Sequence, residues 1–124
     1  MKRDMDLIRQ IMLAIEDAED PLDVVETLVP HVDGVRDERE AGRVYQHAVW
    51  LREAGFVVGH DQLSPLDFYG AVLTWQGCEF IGTIRDPEIW RLTKKGLKQA
   101  GVASVSFLLE VAKQCGQEKL ASIL

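Results

Sequence analysis

The sequence predicts an α+β protein, a winged-helix-like domain with a short β-hairpin and additional C-terminal helices, and two observations lead to this class. An amphipathic helical segment ends at a glycine and runs directly into two β-rich segments, the order in which a winged helix places its recognition helix and its hairpin. One helical segment precedes this unit and three follow it. Because no repeat, low-complexity stretch or Pro/Gly/Ser-rich linker interrupts the 124 residues, we expect residues 1–124 to form a single domain.

The first helix is expected over residues 4–18. Asp4 suits the N-cap position, because its carboxylate can accept amide hydrogens of the first turn. The pair Asp20-Pro21 follows the helix, and a residue before proline is driven out of helical geometry. The apolar stripe of this helix repeats at i, i+3, i+4 and i+7 and consists of Ile8, Ile11, Met12 and Ile15.

The next segment, residues 22–29, is apolar and lies between two prolines, and part of it is expected to be a short strand. Asp33-Gly34 predicts a turn. A second helix is expected over residues 37–54, with Gly55 in the left-handed position beyond its end. The buried stripe of that helix consists of Ala41, Val44, Ala48 and Leu51.

A β-hairpin is expected after Gly55, with strands beginning at Phe56 and running over residues 68–74, joined by a polar loop over residues 60–67. This hairpin is the wing of the predicted fold. Thr74 is a suitable cap for a helix over residues 75–85.

Two further helices complete the chain. Asp86 and Pro87 supply an N-cap and a first helical residue for a helix that reaches about Gln99, and Ser104 or Ser106 caps the last one. The remaining aromatic residues, among them Trp75 and Trp90, are expected to fill the core.

The net charge of −6 and the pI of about 5.0 disfavour nonspecific attraction to nucleic acid. The charge is uneven, because residues 1–35 carry three basic and nine acidic groups whereas residues 87–124 carry six basic and three acidic groups. No signal peptide or membrane-spanning run is recognisable, so a cytoplasmic location is expected. In that compartment Cys78 and Cys115 are expected to be small core residues.

Three segments resemble a known family: MKRDMDLIRQIMLAIE at the start, YQHAVWLREAGFVVG in the centre and LTWQGCEFIGTIRDPEIW later in the chain. They are similar to the bacterial and phage proteins grouped as domain of unknown function 2513, over nearly the whole chain. The resemblance implies a small winged-helix-like protein, often encoded by phages or mobile elements, and it implies no catalytic residues. Cys78 and Gly82 depart from the pattern, since a histidine and an acid are expected there.

Catalytic motifs for a nucleophilic serine, a phosphate loop or a zinc protease are absent from the sequence, and neither a metal nor another cofactor is expected. The protein is therefore expected not to be an enzyme. A nucleophilic pair of Cys78 with His47 is the alternative, but a core cysteine beside a histidine on a helix flank accounts for both residues.

The helix over residues 37–54 carries the most informative pattern. In a winged helix this element enters the DNA major groove, where arginine and glutamine suit guanine and adenine edges. The alternatives are a solvated face of Arg–Glu pairs, or a protein interface anchored by Trp50. The candidate binding residues on the arc opposite the buried stripe are Arg36, Arg39, Arg43, Gln46, His47 and Trp50.

The wing sequence argues against DNA, because residues 60–67 contain no Lys or Arg to contact phosphates. A second basic stripe lies on the helix after Pro87, where it could contact a nucleic-acid backbone or simply form a solvated outer face. Its members, spaced i, i+3, i+4 and i+7, are Arg91, Lys94, Lys95 and Lys98.

Two functions therefore stand side by side. The first is nucleic-acid binding through the 37–54 helix. The alternative is a protein–protein interaction module, such as an inhibitor of a host factor or defence complex, that uses the same face with Trp50 as its anchor. No membrane partner is expected. A homodimer is a further possibility, because the last helix ends in apolar Leu120, Ile123 and Leu124.

Overall fold

A computed structural model describes residues 1–62, 65–100 and 105–123, with side chains throughout these ranges except at residues 99, 100 and 105–108. The α+β class is confirmed. The described helices are α1 (Met5–Asp17), α2 (Val24–Leu28), α3 (Glu38–Glu53), α4 (Trp75–Ile84), α5 (Pro87–Ala100) and α6 (Val105–Ile123). The described strands form two antiparallel hairpins, β1 (His31–Val32) with β2 (Val35–Arg36), and β3 (Val57–Gln62) with β4 (Asp67–Leu73).

The chain groups into two compact units, Met1–Cys78 and Glu79–Leu124. The first unit contains α1, α2, α3 and both hairpins, and the second contains α5 and α6. The core of the first unit is aliphatic and aromatic, and its fully buried side chains include Ile11, Met12, Val24, Val25, Val29, Leu51 and Phe68.

Helix α1 begins where the sequence predicts. The Asp4 carboxylate accepts the amide hydrogens of Asp6 and Leu7 at 3.0 and 3.2 Å, which are donors that the first turn of a helix leaves without partners. The helix ends at Asp17, and Ala18 is already extended. The predicted N-cap and buried stripe are both confirmed.

The segment before the first hairpin differs from the expectation of a short strand. Only Leu22 is extended and paired, and it forms a two-bond bridge with Ala71 of β4. Residues Val24–Leu28 are helical instead, because the Asp23 carboxylate caps the amide of Glu26 and so starts a helical turn. The predicted turn is confirmed, since Asp33 and Gly34 both have positive φ, as a tight Asp-Gly hairpin requires.

Helix α3 ends in a Schellman motif. Gly55 has a φ of +82°, its amide donates to the carbonyl of Arg52, and the amide of Phe56 donates to the carbonyl of Leu51. This motif reverses the chain and sends Phe56 straight into β3. The predicted boundary between helix and hairpin is thus confirmed in chemical detail.

The β3–β4 hairpin carries an irregularity in register between Val58 and His60. A Cβ atom at the intervening Gly59 would overlap the ring of Phe68, which is fully buried. The hairpin continues into α4 through Thr74, whose hydroxyl donates to the Gly55 carbonyl at 2.6 Å and accepts the Gly77 amide at 3.0 Å. Thr74 is therefore the cap that the sequence predicts.

The second unit is built on the packing of α5 against α6. The Asp86 carboxylate caps α5 by accepting the amides of Glu88 and Ile89, and Pro87 occupies the first helical position. Lys119 of α6 forms ion pairs with Asp86 and with Glu88, which links the end of one helix to the start of the other. The predicted caps Ser104 and Ser106 lie outside the residues whose side chains are described.

Two tryptophans and the cysteines test the predicted core. Trp90 is 4% exposed and lies in the core as expected. The expectation for Trp75 is wrong, because it is 80% exposed at the first position of α4. Cys78 is also exposed and Cys115 is half-buried, so neither is the buried core residue that the sequence suggested.

Candidate interaction surface on α3

The buried face of α3 is wider than the sequence pattern indicates. His47 is fully buried together with the predicted apolar stripe, so it does not lie on the solvent-facing arc. With His47 counted as buried, the middle of the solvent-facing arc of α3 lies farther from α1 than the sequence pattern indicates. The residues along that outer line, spaced at helical intervals, are Arg39, Gly42, Gln46, Val49 and Glu53, and each is at least partly exposed.

His47 is buried because both of its ring nitrogens have partners. Nε2 accepts the amide hydrogen of Asp4 at 2.9 Å, and Nδ1 donates to the carbonyl oxygen of Arg43 at 2.7 Å. An imidazole that accepts at Nε2 carries its proton on Nδ1. The ring also makes an edge contact with Trp50, with ring centroids 5.0 Å apart. His47 thus joins the start of α1 to α3 and is structural.

The Arg36 guanidinium is used inside the protein. Its side chain is only 7% exposed, Nη1 donates to Asp67 at 2.8 Å and Nε donates to Glu38 at 3.2 Å. A third bond reaches the carbonyl oxygen of Pro65. Burial lowers the pKa of Arg36, but the bonds to the two carboxylates outweigh it and raise that pKa overall. The side chain fixes the start of α3 to β4.

Arg43 is also engaged, although about a third of its side chain is exposed. It bonds to the carboxylate of Asp4, and it donates to Glu40 at 3.0 Å. Asp4 therefore caps α1, holds Arg43 and binds His47 through its amide. Of the three arginines predicted to form the binding face, only Arg39 is largely exposed to solvent.

On the side of α3 that faces the β3–β4 hairpin, Asp61 of β3 bonds to two side chains of α3. Arg52 donates to this carboxylate at 2.5 Å and the Tyr45 hydroxyl donates at 2.8 Å. The bond from Arg52, assisted by the one from Tyr45, lowers the pKa of Asp61 below its usual value. Arg52 also lies over the ring of Phe68, 5.3 Å from its centroid. The guanidinium of Arg52 therefore holds β3 against α3.

Trp50 is half-buried at the opposite edge of the helix. Together with Met1, Arg3, Glu53 and Ala54 it lines an open hollow of about 540 Å³. The hollow combines an aromatic ring with charges of both signs. Of the residues predicted for the binding face, Arg39, Gln46 and Trp50 are accessible, whereas Arg36 and His47 are buried and Arg43 is neutralised.

Sequence reasoning missed Gly42, Val49 and Glu53. The available signal was the helical wheel itself, which puts these three residues at the centre of the arc once His47 is counted as buried. His47 was instead predicted to lie on the surface because histidine is a polar residue type. The two hydrogen-bond partners that allow His47 into the core lie far from it in sequence or on the main chain, so the pattern does not reveal them.

The net charge of the first unit is strongly negative. Residues 1–78 contain seven Lys or Arg and fifteen Asp or Glu, a net charge of −8. Residues 79–124 contain seven Lys or Arg and five Asp or Glu, a net charge of +2. On α5, Arg91, Lys95 and Lys98 are exposed, whereas Lys94 is half-buried with its Nζ 5.7 Å from the centroid of the Trp90 ring.

Within the described ranges, no group of three or more His, Cys, Asp or Glu side chains is arranged to hold a metal ion. Across the same ranges, no helix combines the length and apolar character needed to span a bilayer.

Comparison with known proteins gives one family. A family model described as "Hypothetical protein (DUF2513)" matches residues 2–103. The chain belongs to the DUF2513 family. The match includes the first unit from residue 2 onward as well as α4 and α5, so the resemblance seen in the sequence is confirmed. The DUF2513 protein is also 29% identical, over all of its length and 99% of the relative's, to an uncharacterized protein of Haemophilus influenzae. No solved structure matches it.

Proposed function

We propose that this DUF2513 protein is a non-enzymatic, winged-helix-like binding protein whose α3 surface contacts another protein. The observation that carries the proposal is the internal use of three guanidinium groups, one just before α3 and two on it. Arg36, Arg43 and Arg52 are each paired with carboxylates of the same chain. A surface that binds phosphates needs such groups free, because phosphate contacts supply most of the affinity for nucleic acid.

The winged-helix assignment is supported by the order of elements. Leu22 lies between α1 and α2 and forms an isolated antiparallel bridge with Ala71 of β4, at the place where a winged helix has its first strand. The five-residue α2 supplies a helix before α3, as a helix-turn-helix requires. Apart from the β1–β2 hairpin between α2 and α3, this order of helix, extended residue, two helices and hairpin resembles that of a winged helix, with α3 in the place of the recognition helix.

The composition of the exposed α3 surface favours a protein partner. Its outer line has one positive and one negative charge, at Arg39 and Glu53, with Gly42 and Val49 between them. The charges along this line therefore cancel. Trp50 borders it beside Arg3, and tryptophan and arginine are the residue types enriched at the energetic centres of protein interfaces. The net charge of −8 on this unit would repel a phosphate backbone.

Nucleic-acid binding is the second candidate, and one observation favours it. Arg91, Lys95 and Lys98 form an exposed row on α5, in the unit with net positive charge. In this case phosphates would contact α5.

A titration of fluorescently labelled duplex DNA separates the two candidates. The proposal predicts no saturable anisotropy change at about 50 mM salt, where phosphate contacts are strong. The second candidate predicts binding that weakens steeply as salt rises and is lost in Arg39→Glu combined with Lys95→Glu. A salt-sensitive, saturable curve abolished by those substitutions would make nucleic acid the partner class and reject the proposal.

A further inference from the structure

A second surface of the first unit lies where the end of α1 meets β4. An open groove of about 250 Å³ is present there. Its floor is apolar and its rim carries Glu19 and Asp20. The apolar residues that line it are Ile15, Ala18, Pro21, Ala71 and Val72.

The apolar surface continues from this groove onto the outer face of the β3–β4 hairpin. Val72 pairs in register with Val58, and the two side chains are 44% and 54% exposed. The next exposed pair along the hairpin is Tyr69 with His60, whose ring centroids are 5.5 Å apart. The solvent face of an antiparallel sheet is normally polar, so an exposed Val–Val pair and a tyrosine on this face are typical of an interaction surface.

The charge beside this groove has an unfavourable arrangement within the isolated protein. The last turn of α1 contains Glu16 and Asp17 and no basic residue, and Glu19 and Asp20 follow directly. The C-terminal end of a helix is its negative pole, where cations are stabilising and carboxylates are destabilising. In the described part of the chain, Asp17, Glu19 and Asp20 form no ion pair. A positively charged ligand at this end of α1 would therefore relieve an existing repulsion.

We propose that this groove docks a protein segment that presents an apolar side chain flanked by Lys or Arg. The apolar side chain would cover Ala18, Pro21 and Val72, and the flanking cations would lie against Glu19 and Asp20 and the negative pole of α1. The positive charge of the bound segment is inferred from charge complementarity. An acidic or neutral segment would leave the repulsion among the carboxylates at the end of α1 in place. This surface is distinct from the α3 surface, and it stands even where the α3 proposal fails.

The test is an NMR titration of the isotope-labelled full chain with the synthetic peptide Lys-Lys-Leu-Leu-Lys-Lys. The largest amide shift changes are expected at Ala18, Ala71 and Val72. The double substitution Glu19→Lys/Asp20→Lys is expected to weaken binding by about tenfold or more, because each reversed charge replaces an attraction with a repulsion. Val72→Ser, at an exposed position, is expected to weaken binding without loss of the folded spectrum.

The matched control is Glu110→Lys/Glu118→Lys, which makes the same change in net charge on exposed positions of α6. It is expected to alter affinity by less than about twofold, since it changes the net charge without changing any residue that lines the groove. The peptide Glu-Glu-Leu-Leu-Glu-Glu is expected not to bind. Equal weakening by both double substitutions, shift changes spread over every acidic surface, or no binding of the basic peptide would each overturn the proposal.

Discussion

At the scale of single residues, Asp4 and His47 explain how α1 is fixed to α3. Asp4 caps its own helix with one carboxylate oxygen, binds Arg43 with the other and donates its amide hydrogen to His47. The cap is predictable from sequence, because an N-cap acts within three residues. The bond to His47 spans 43 residues, and nothing in the local pattern reveals it. A buried polar residue with satisfied partners was therefore mistaken for a surface residue.

Replacement of His47 by leucine is expected to destabilise the protein by about 1–3 kcal/mol, because the partly buried Asp4 amide would lose its acceptor and the link between α1 and α3 would be broken. Urea denaturation measures the change in the free energy of unfolding. Gln46→Leu, one position away on the exposed line, is the matched control and is expected to stay within about 0.5 kcal/mol of the wild type. Equal stability of His47→Leu and the wild type would show that the bond is not structural.

At the scale of elements, most boundaries could be predicted because the chemistry that sets them is local. Asp4, Thr74 and Asp86 cap the helices they were expected to cap, and Gly55 terminates α3. The segment over residues 22–29 was not predictable, because its β-branched composition favours a strand whereas the Asp23 cap and the packing of α2 on α3 and β4 select a helix. Tertiary contacts overrode propensity there.

Two glycines of α4 give a matched pair of substitutions. A Cβ atom at Gly77 would overlap the carbonyl oxygen of Phe56, whereas a Cβ atom at Gly82 has open space. Gly77→Ala is expected to lower the free energy of unfolding by about 1–3 kcal/mol through overpacking. Gly82→Ala is expected to raise it by up to about 1 kcal/mol, because alanine is the better helix former. Thermal or urea unfolding of both variants tests this, and a stabilising Gly77→Ala would contradict the tight approach of α4 to Phe56.

The link between α5 and α6 gives a pH dependence. The ion pair with Lys119, aided by the helix amides, lowers the pKa of Asp86, and the same pair raises the pKa of Lys119. The stabilisation from Asp86 is complete above the usual pKa of an aspartate and is lost as pH falls through the lowered value. The stabilisation from Lys119 is complete below its usual pKa and is lost as pH rises through the raised value.

The α5 and α6 amides are therefore expected to be most protected from hydrogen exchange at pH values between the pKa of Asp86 and the pKa of Lys119. The measured rates are corrected for the pH dependence of intrinsic exchange. Lys119→Met is expected to reduce the loss of protection at acid pH. An unchanged acid profile in Lys119→Met would show that another group sets it.

At the scale of the whole molecule, the overall distribution of charge could be predicted from the sequence, but the pairing of individual charges could not. The acidic N-terminal part and the basic C-terminal part are visible in the sequence, and they coincide with the two compact units. The candidate site was only partly predictable. Arg36 and Arg43 look like a basic surface on a helical wheel, yet each also bonds to a carboxylate that lies 31 or 39 residues away, in Asp67 and Asp4, and these pairs cancel the charge. Trp50, Arg39 and Gln46 remain accessible.

The central claim, that α3 contacts a protein, is tested most directly by a photo-crosslinking amino acid placed at Gln46 and irradiated in cells that naturally express the protein. The matched control carries the same group at Lys113, an exposed position on α6. The account predicts a discrete adduct from position 46 that is resistant to nuclease, absent from position 113 and lost in Trp50→Ala, with Trp50→Phe retaining it. A nuclease-sensitive adduct, or the same adduct from both positions, would contradict the claim.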